Sequence, residues 1–255
     1  MKIGLIGSGN MARALARGWG RPIFCADPVA GRAQALAREL GGEALASNTE
    51  VAERSDLVVL CHKPAQVGAV AEELAPHAKA VASILAATPL AALELLYPDR
   101  PVYRFIPSLP VEVRQGAVVQ AAGSGGAAST HDPETDRAVS ELFAELGTLV
   151  VLDDALLDVA TGLMSCSPAY VALVAEAQID AGVRRGIPAA QGAELVVQTL
   201  AGTAELLRRR GNDTVAVRRE VASPGGLTAR GLDALERAGL RAAFSEALDA
   251  VLETR

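Results

Sequence analysis

The chain has 255 residues, of which 50% are hydrophobic, 21% charged and 3% aromatic, and its formal net charge is −6. That is ample for a large buried core in one domain or two, and it excludes a disordered chain. The acidic balance leaves nothing to neutralise a phosphate backbone, and the few rings give single strands little to stack on, so nucleic acid is excluded as a partner. Cys25, Cys61 and Cys166 are odd in number and far apart, which gives neither a disulfide framework nor a zinc pattern; no metal is expected, and they read as reduced thiols of a cytoplasmic protein. A secretory leader is not expected, because Gly7 and Gly9 interrupt the first apolar run and Arg13 and Arg17 follow. Asp153, Asp154 and Asp158 break the apolar stretch at 149–164, so no membrane span is expected.

Along the first half, short aliphatic runs at residues 2–6, 22–26, 57–61, 80–85 and 102–106 predict strands. Amphipathic segments at 11–19, 31–40, 65–74 and 90–97 predict the helices between them. This alternation with short links points to an α/β fold, a parallel sheet covered on both faces. Residues 116–120 and 148–152 read as further strands flanking a helix at 133–146, with a flexible loop at 121–130 before it. From Asp153 onward helical periods dominate, at 168–185, 189–210, 213–222, 226–238 and 240–253. Pro168 and Pro188 suit first helical turns and Asp213 suits a helix start. The expected organisation is a doubly wound α/β domain at 1–152 and an all-helical domain at 153–255.

Gly7, Ser8, Gly9, Asn10, Met11 and Ala12 fit G-x-G-x-x-G/A directly after the first strand and at the opening of a helix. A first glycine allows the tight turn, a second lets backbone approach a pyrophosphate, and a small third residue lets helix and strand pack closely. The helix start then offers free N–H groups to the anion. Asp27 ends the second strand, twenty residues after Gly7. A carboxylate there suits a ribose 2′-hydroxyl and repels a 2′-phosphate, which leans toward NADH, whereas Arg32 could pair with that phosphate.

Four further stretches carry a family resemblance: "CHKP" at 61–64, "FIPS" at 105–108, "TGL" at 161–163 followed by "PAY" at 168–170, and "SPGGLT" at 223–228 followed by "GLDALERAGLRAA". With "GLIGSGNMARAL" they make the chain resemble the pyrroline-5-carboxylate reductases over nearly its whole length. The resemblance implies an N-terminal Rossmann domain, a helical C-terminal dimerisation domain, and a homodimer or a ring of dimers. It implies reduction of a cyclic imine, 1-pyrroline-5-carboxylate, to proline by NAD(P)H. Carried over residue by residue, cofactor contacts fall at Gly7 to Ala12, Asn48, Cys61, His62, Lys63 and Pro64, with Ile84, Leu85 and Ala86 on the nicotinamide side. The substrate would meet a loop of Ser165, Cys166 and Ser167, and Ser223, Gly225, Gly226, Leu227 and Thr228. Thr228 would supply a hydroxyl near the ring nitrogen, by direct contact or through a water, and it could equally cap its own helix.

Some positions depart from the family pattern. Met164-Ser165-Cys166-Ser167 stand where Ser-Gly-Ser-Gly is usual, Ile106-Pro107-Ser108 where Met-Pro-Asn is usual, and His62 where a small apolar residue is usual. An imidazole beside a nicotinamide can be a general acid or simply a packed loop residue. Cys166 shows no partner base and reads as a pocket wall, and Glu220 reads as part of a solvated helix face. Three alternatives remain. One is a reductase of a related cyclic imine. Another is a non-catalytic nucleotide-binding homologue. The third, a β-hydroxyacid dehydrogenase, needs a lysine on the first long helix, and residues 168–178 contain none.

Overall fold

The computed structural model describes residues 1–125 and 132–253; half of the loop expected at 121–130, residues 126–130, lies outside them. The chain divides into two compact units after Pro168. The first holds one eight-stranded sheet in the order β3-β2-β1-β4-β5-β6-β7-β8. Its strands are β1 (Ile3–Ile6), β2 (Phe24–Ala26), β3 (Glu43–Ala44), β4 (Leu57–Leu60), β5 (Val81–Ser83), β6 (Val102–Pro107), β7 (Gly116–Ala121) and β8 (Gly147–Leu152). The helices between them are α1 (Asn10–Trp19), α2 (Arg32–Leu40), α3 (Asn48–Arg54), α4 (Val67–Leu74), α5 (Leu90–Leu96) and α6 (Pro133–Ala144).

Alternate side chains leave the sheet on opposite faces and build two cores. Ile3, Leu5, Leu57 and Val59 meet Leu15, Trp19, Leu36 and Phe143 of α1, α2 and α6. Ile6, Val58, Leu60 and Val81 meet Val51, Val70, Leu74 and Leu93 of α3, α4 and α5. Phe143 stacks on Phe105 at 3.8 Å and meets the edge of Trp19 at 5.5 Å. The Trp19 Nε1–H is satisfied by the Leu142 carbonyl at 2.9 Å, so the largest buried ring carries no orphan donor. The strand order reverses direction on either side of β1 and β4, and the crevice at such a switch point is where this class of sheet binds ligands.

Three features differ from the sequence expectation. The β6–β7 pair is antiparallel within an otherwise parallel sheet; the connection from Pro107 to Gly116 is too short for a crossover helix. Helix α3 and the two-residue β3 were not expected. The compact unit containing the sheet continues past Leu152 to Pro168, through α7 (Leu157–Ala160) and a π-helical turn at Thr161–Ser165. There Leu157 and Ala160 pack into the second core, and buried Arg104 of β6 pairs with Asp154 at 2.7 Å and Asp158 at 3.3 Å. The helical run Asp154–Val183 is long and apolar enough to cross a membrane by length and composition alone; its first turns are instead tied to the sheet by these ion pairs.

Helix α8 (Ser167–Val183) leads into the second unit, which holds α9 (Ala189–Arg209), α10 (Thr214–Val221), α11 (Leu227–Arg237) and α12 (Leu240–Glu253). Asp213 caps α10, its Oδ1 accepting from the N–H groups of Val215 and Ala216 at 2.9 Å each. Within one chain α8, α11 and α12 bury none of their residues fully. Leu195, Leu227, Leu235 and Phe244 are all exposed.

Candidate active site

The turn from β1 into α1 is built from the backbone outward. Gly7 has φ +98, and a Cβ on it would sit 2.9 Å from the Cys61 carbonyl oxygen and 3.1 Å from the His62 nitrogen, so only glycine fits. Gly9 is different: its φ is −73, and a Cβ there would meet nothing within 4 Å. Nothing in the chain demands a glycine at that position. Space has been left for something else to approach, which suits a pyrophosphate. Gly9 is also the N-cap of α1 and offers no side-chain cap, so the first N–H groups of the helix have no intrahelical acceptor and face outward with a partial positive charge.

Asp27 fixes this turn. One carboxylate oxygen accepts the Ser8 N–H at 2.7 Å and the other accepts the Val29 N–H at 2.8 Å. A cavity of about 460 Å³ opens here, lined by Gly7, Gly9, Asp27, Arg32, Cys61, His62, Lys63 and Gln66 among others. Arg32 is exposed and forms no ion pair among the described residues.

A second cavity, of about 220 Å³, adjoins the same β4 loop. Met11, Cys61, His62, Pro64, Ile84, Leu85, Ala86, Ile106, Pro107, Thr161 and Ser165 line it. Cys61 and His62 border both cavities. The walls are mostly apolar, and the titratable groups present are poor proton donors. Burial pushes the Cys61 thiol far above its ordinary value, and burial likewise pushes the His62 imidazole down. The Ser165 hydroxyl donates to the Pro107 carbonyl at 3.1 Å, tying the π-helical turn to the end of β6. Turns of this type recur at functional sites.

Of the residues singled out in the sequence, the structure gathers Gly7, Gly9, Met11, Asp27, Cys61 to Pro64, Ile84 to Ala86 and Ser165 around these two cavities. Ser8 and Ala12 are buried beneath the turn, and Asn10 begins α1; none of the three lines either of these two cavities. Asn48 begins α3, donates to Glu73 at 2.8 Å, and lines neither cavity. Ser165 to Ser167, expected as a loop, are helical: the Cys166 N–H reaches the Thr161 carbonyl at 3.0 Å and the Ser167 hydroxyl bonds the Leu163 carbonyl. Without a glycine or proline from 163 to 167, nothing interrupts the helix there.

In the second unit, Ser223 to Gly226 form the turn before α11. Gly225 has φ +70, and a Cβ on Gly226 would lie 2.5 Å from the Ser223 hydroxyl. Gly226 is the N-cap and again has no side-chain cap. Leu227 and Thr228 open the helix and are exposed, so Thr228 stands past the cap position and does not cap α11. Glu220 is exposed and paired with Arg210 at 2.8 Å, a solvated ion pair. Thr161, Ile106 and Pro107 line the smaller cavity and were not marked as site residues. Their signal was the quoted FIPS and TGL stretches: Ile106 and Pro107 end β6, at the carboxyl ends of the parallel strands.

A doubly wound sheet with an uncapped glycine turn at its switch point, followed by a helical unit, defines a Rossmann-class protein with a C-terminal helical domain. A family model described as "Pyrroline-5-carboxylate reductase dimerisation" matches residues 154–255, and one described as "NADP oxidoreductase coenzyme F420-dependent" matches residues 2–87. The pyrroline-5-carboxylate reductase of Thermus thermophilus is 35% identical over 258 residues, covering 98% of this chain and 95% of its own. The crystal structure of 1-pyrroline-5-carboxylate reductase from Streptococcus pyogenes superposes with a TM-score of 0.88 at 30% identity, covering 100% of this chain and 97% of that one. The Plasmodium falciparum pyrroline carboxylate reductase, solved with NADP bound, gives 0.85 at 26% identity, covering 100% and 96%. The chain belongs to the pyrroline-5-carboxylate reductase family.

Proposed function

We infer that the protein is an NAD(P)H-dependent oxidoreductase that reduces the C=N bond of 1-pyrroline-5-carboxylate to give proline, as a homodimer in the cytoplasm. The observation that carries this is the near full-length relationship to enzymes of that name, joined to a glycine turn whose second glycine faces open space. When bound, the reduced dinucleotide supplies a hydride to the imine carbon. The chain's own part is to bind, orient and exclude water. The α1 N-terminus receives the diphosphate. Ile84 to Ala86, Ile106 and Pro107 give the nicotinamide side an apolar wall.

No residue lining that wall is a ready acid at neutral pH, so the ring nitrogen arrives already protonated, as an iminium. Thr228 then serves as a hydrogen-bonding partner for the nitrogen rather than as a strong proton source. The uncapped start of α11 offers N–H groups suited to the substrate carboxylate, and the free thiols suit a reducing compartment. For the cofactor, Asp27 is held at the cavity by two backbone N–H groups, where a carboxylate suits a ribose 2′-hydroxyl and repels a 2′-phosphate. Arg32 is exposed, where attraction to a phosphate is screened. NADH is therefore preferred over NADPH by a modest factor.

A panel of cyclic imines assayed with NADH and NADPH tests this reading. Proline formation matched one-for-one by dinucleotide oxidation is the expected result. Faster turnover of another imine would move the substrate, and tight binding without turnover on any imine would make the chain a nucleotide-binding homologue. Thr228→Ala is expected to lower kcat about ten- to hundredfold, the value of one hydrogen bond to a charged group, with NADH affinity unchanged; loss of affinity instead would remove Thr228 from the reaction.

A further inference from the structure

His62 follows β4 and borders both cavities of the first unit. Its Nδ1 lies 2.9 Å from the Lys63 carbonyl oxygen. A carbonyl only accepts, so Nδ1 carries the hydrogen and, in the neutral ring, Nε2 carries a bare lone pair. Burial lowers the imidazole's proton affinity, which keeps that neutral tautomer. Nε2 is itself buried and has no hydrogen-bond partner among the described residues. A desolvated acceptor without a donor is costly and native structures seldom leave one unexplained. The His62 backbone is fixed as well: it lies so close to Gly7 that a Cβ there would approach its nitrogen to 3.1 Å.

This arrangement removes one role and supports another. With its only N–H spent on Lys63, the ring has no proton to give, so it is not the general acid that its place in the sequence suggests. It is an acceptor waiting for a donor. A dinucleotide occupying both cavities passes the Cys61–His62 segment that they share. The diphosphate has no donor to offer there. The sugar that joins the diphosphate to the nicotinamide has two hydroxyls. We propose that His62 Nε2 accepts a hydrogen bond from a hydroxyl of this sugar, so that His62 is a cofactor-binding residue that reads the nicotinamide half of the dinucleotide. The proposal rests on the dinucleotide reading of the glycine turn and goes beyond it.

The test compares NADH with ADP, which lacks the second sugar, on the full-length wild type and on His62→Val and His62→Gln. Affinities come from fluorescence titration for NADH and from calorimetry for ADP. His62→Val is expected to weaken NADH about tenfold, the value of one lost hydrogen bond that leaves its partner unpaired, and to leave ADP within twofold. His62→Gln, which can present a carbonyl acceptor, is expected to recover part of the loss. In wild type labelled with nitrogen-15 at histidine, the His62 Nε2 resonance is expected to move on adding NADH and to stay put on adding ADP. This readout decides the matter even if a variant fails to fold. Equal loss of NADH and ADP, no loss of either, or an unmoved Nε2 resonance with NADH bound would overturn the proposal while leaving the glycine-turn reading intact. Failure of folded wild type to bind either ligand would bring both down.

Discussion

Gly7 and Gly9 are two residues apart and look alike in the sequence, yet the structure separates what each is for. At Gly7, alanine must adopt a left-handed backbone, at about 1–2 kcal/mol, and its methyl would press on the Cys61 carbonyl, for which overpacking costs about 1–3 kcal/mol. The Cys61 backbone is anchored in turn by its N–H bond to the Ile6 carbonyl at 2.9 Å, so it yields little. Gly7→Ala is expected to lose about 2–5 kcal/mol of stability as the sum of these two costs. At Gly9, alanine meets no atom and the backbone is extended, so stability should stay within about 0.5 kcal/mol. Its methyl would instead fill the space left for the diphosphate. Gly9→Ala should therefore unfold in urea as wild type does and bind NADH at least tenfold more weakly. Urea unfolding and fluorescence titration on the same preparations measure both quantities. Wild-type NADH affinity in Gly9→Ala would refute the reasoning, because the open space would then serve no ligand.

The remaining predictions concern selectivity, assembly and acid stability. Asp27→Asn removes the cavity's carboxylate charge while leaving an oxygen for the Ser8 N–H; the NADPH-to-NADH affinity ratio, from titration of each, should rise severalfold. Phe244→Glu places a charge on the exposed apolar surface of α12 and should shift the particle from dimer or larger toward monomer by light scattering, with far-UV circular dichroism unchanged. The His62 imidazole has a folded-state pKa below its ordinary value of about 6.5. Between those two values the unfolded chain holds a proton that the folded chain does not, so folding stability falls as pH drops below about 6.5. Urea midpoints between pH 7 and pH 5 should show this loss in wild type and less of it in His62→Val.

Much of the first unit was legible because its signals are local. The aliphatic run before Gly7 and the helix formers after it specify a strand, a turn and a helix without outside help. Helix α3 was missed although it carries its own start signal: the Ser47 hydroxyl accepts the Glu50 N–H at 3.1 Å, the N-cap bond that Ser-x-x-Glu announces, and the Glu50 carboxylate accepts the Ala46 N–H at 3.1 Å, one residue before the cap. At seven residues the helix was too short for periodicity to reveal. The reversal at β7 was also available, in the shortness of the link after Pro107. What no local pattern holds is tertiary. The buried Arg104 that anchors Asp154 and Asp158 reads in the sequence as an ordinary strand charge. The π-helical turn at Thr161–Ser165 meets the end of β6 through the Ser165 hydroxyl and the Pro107 carbonyl, a long-range contact that no local pattern announces. Of the candidate site, the glycine turn and the β4 loop could be read from motifs, whereas the orphaned Nε2 of His62 emerged only once its partner and its burial were known.

The most direct measurement is a crystal structure with NADH added. Continuous density from the Gly7–Gly9 turn past Cys61 and His62 to the wall formed by Ile84, Leu85 and Ala86 is the predicted result. Density for the dinucleotide elsewhere, with that turn empty, would contradict the account.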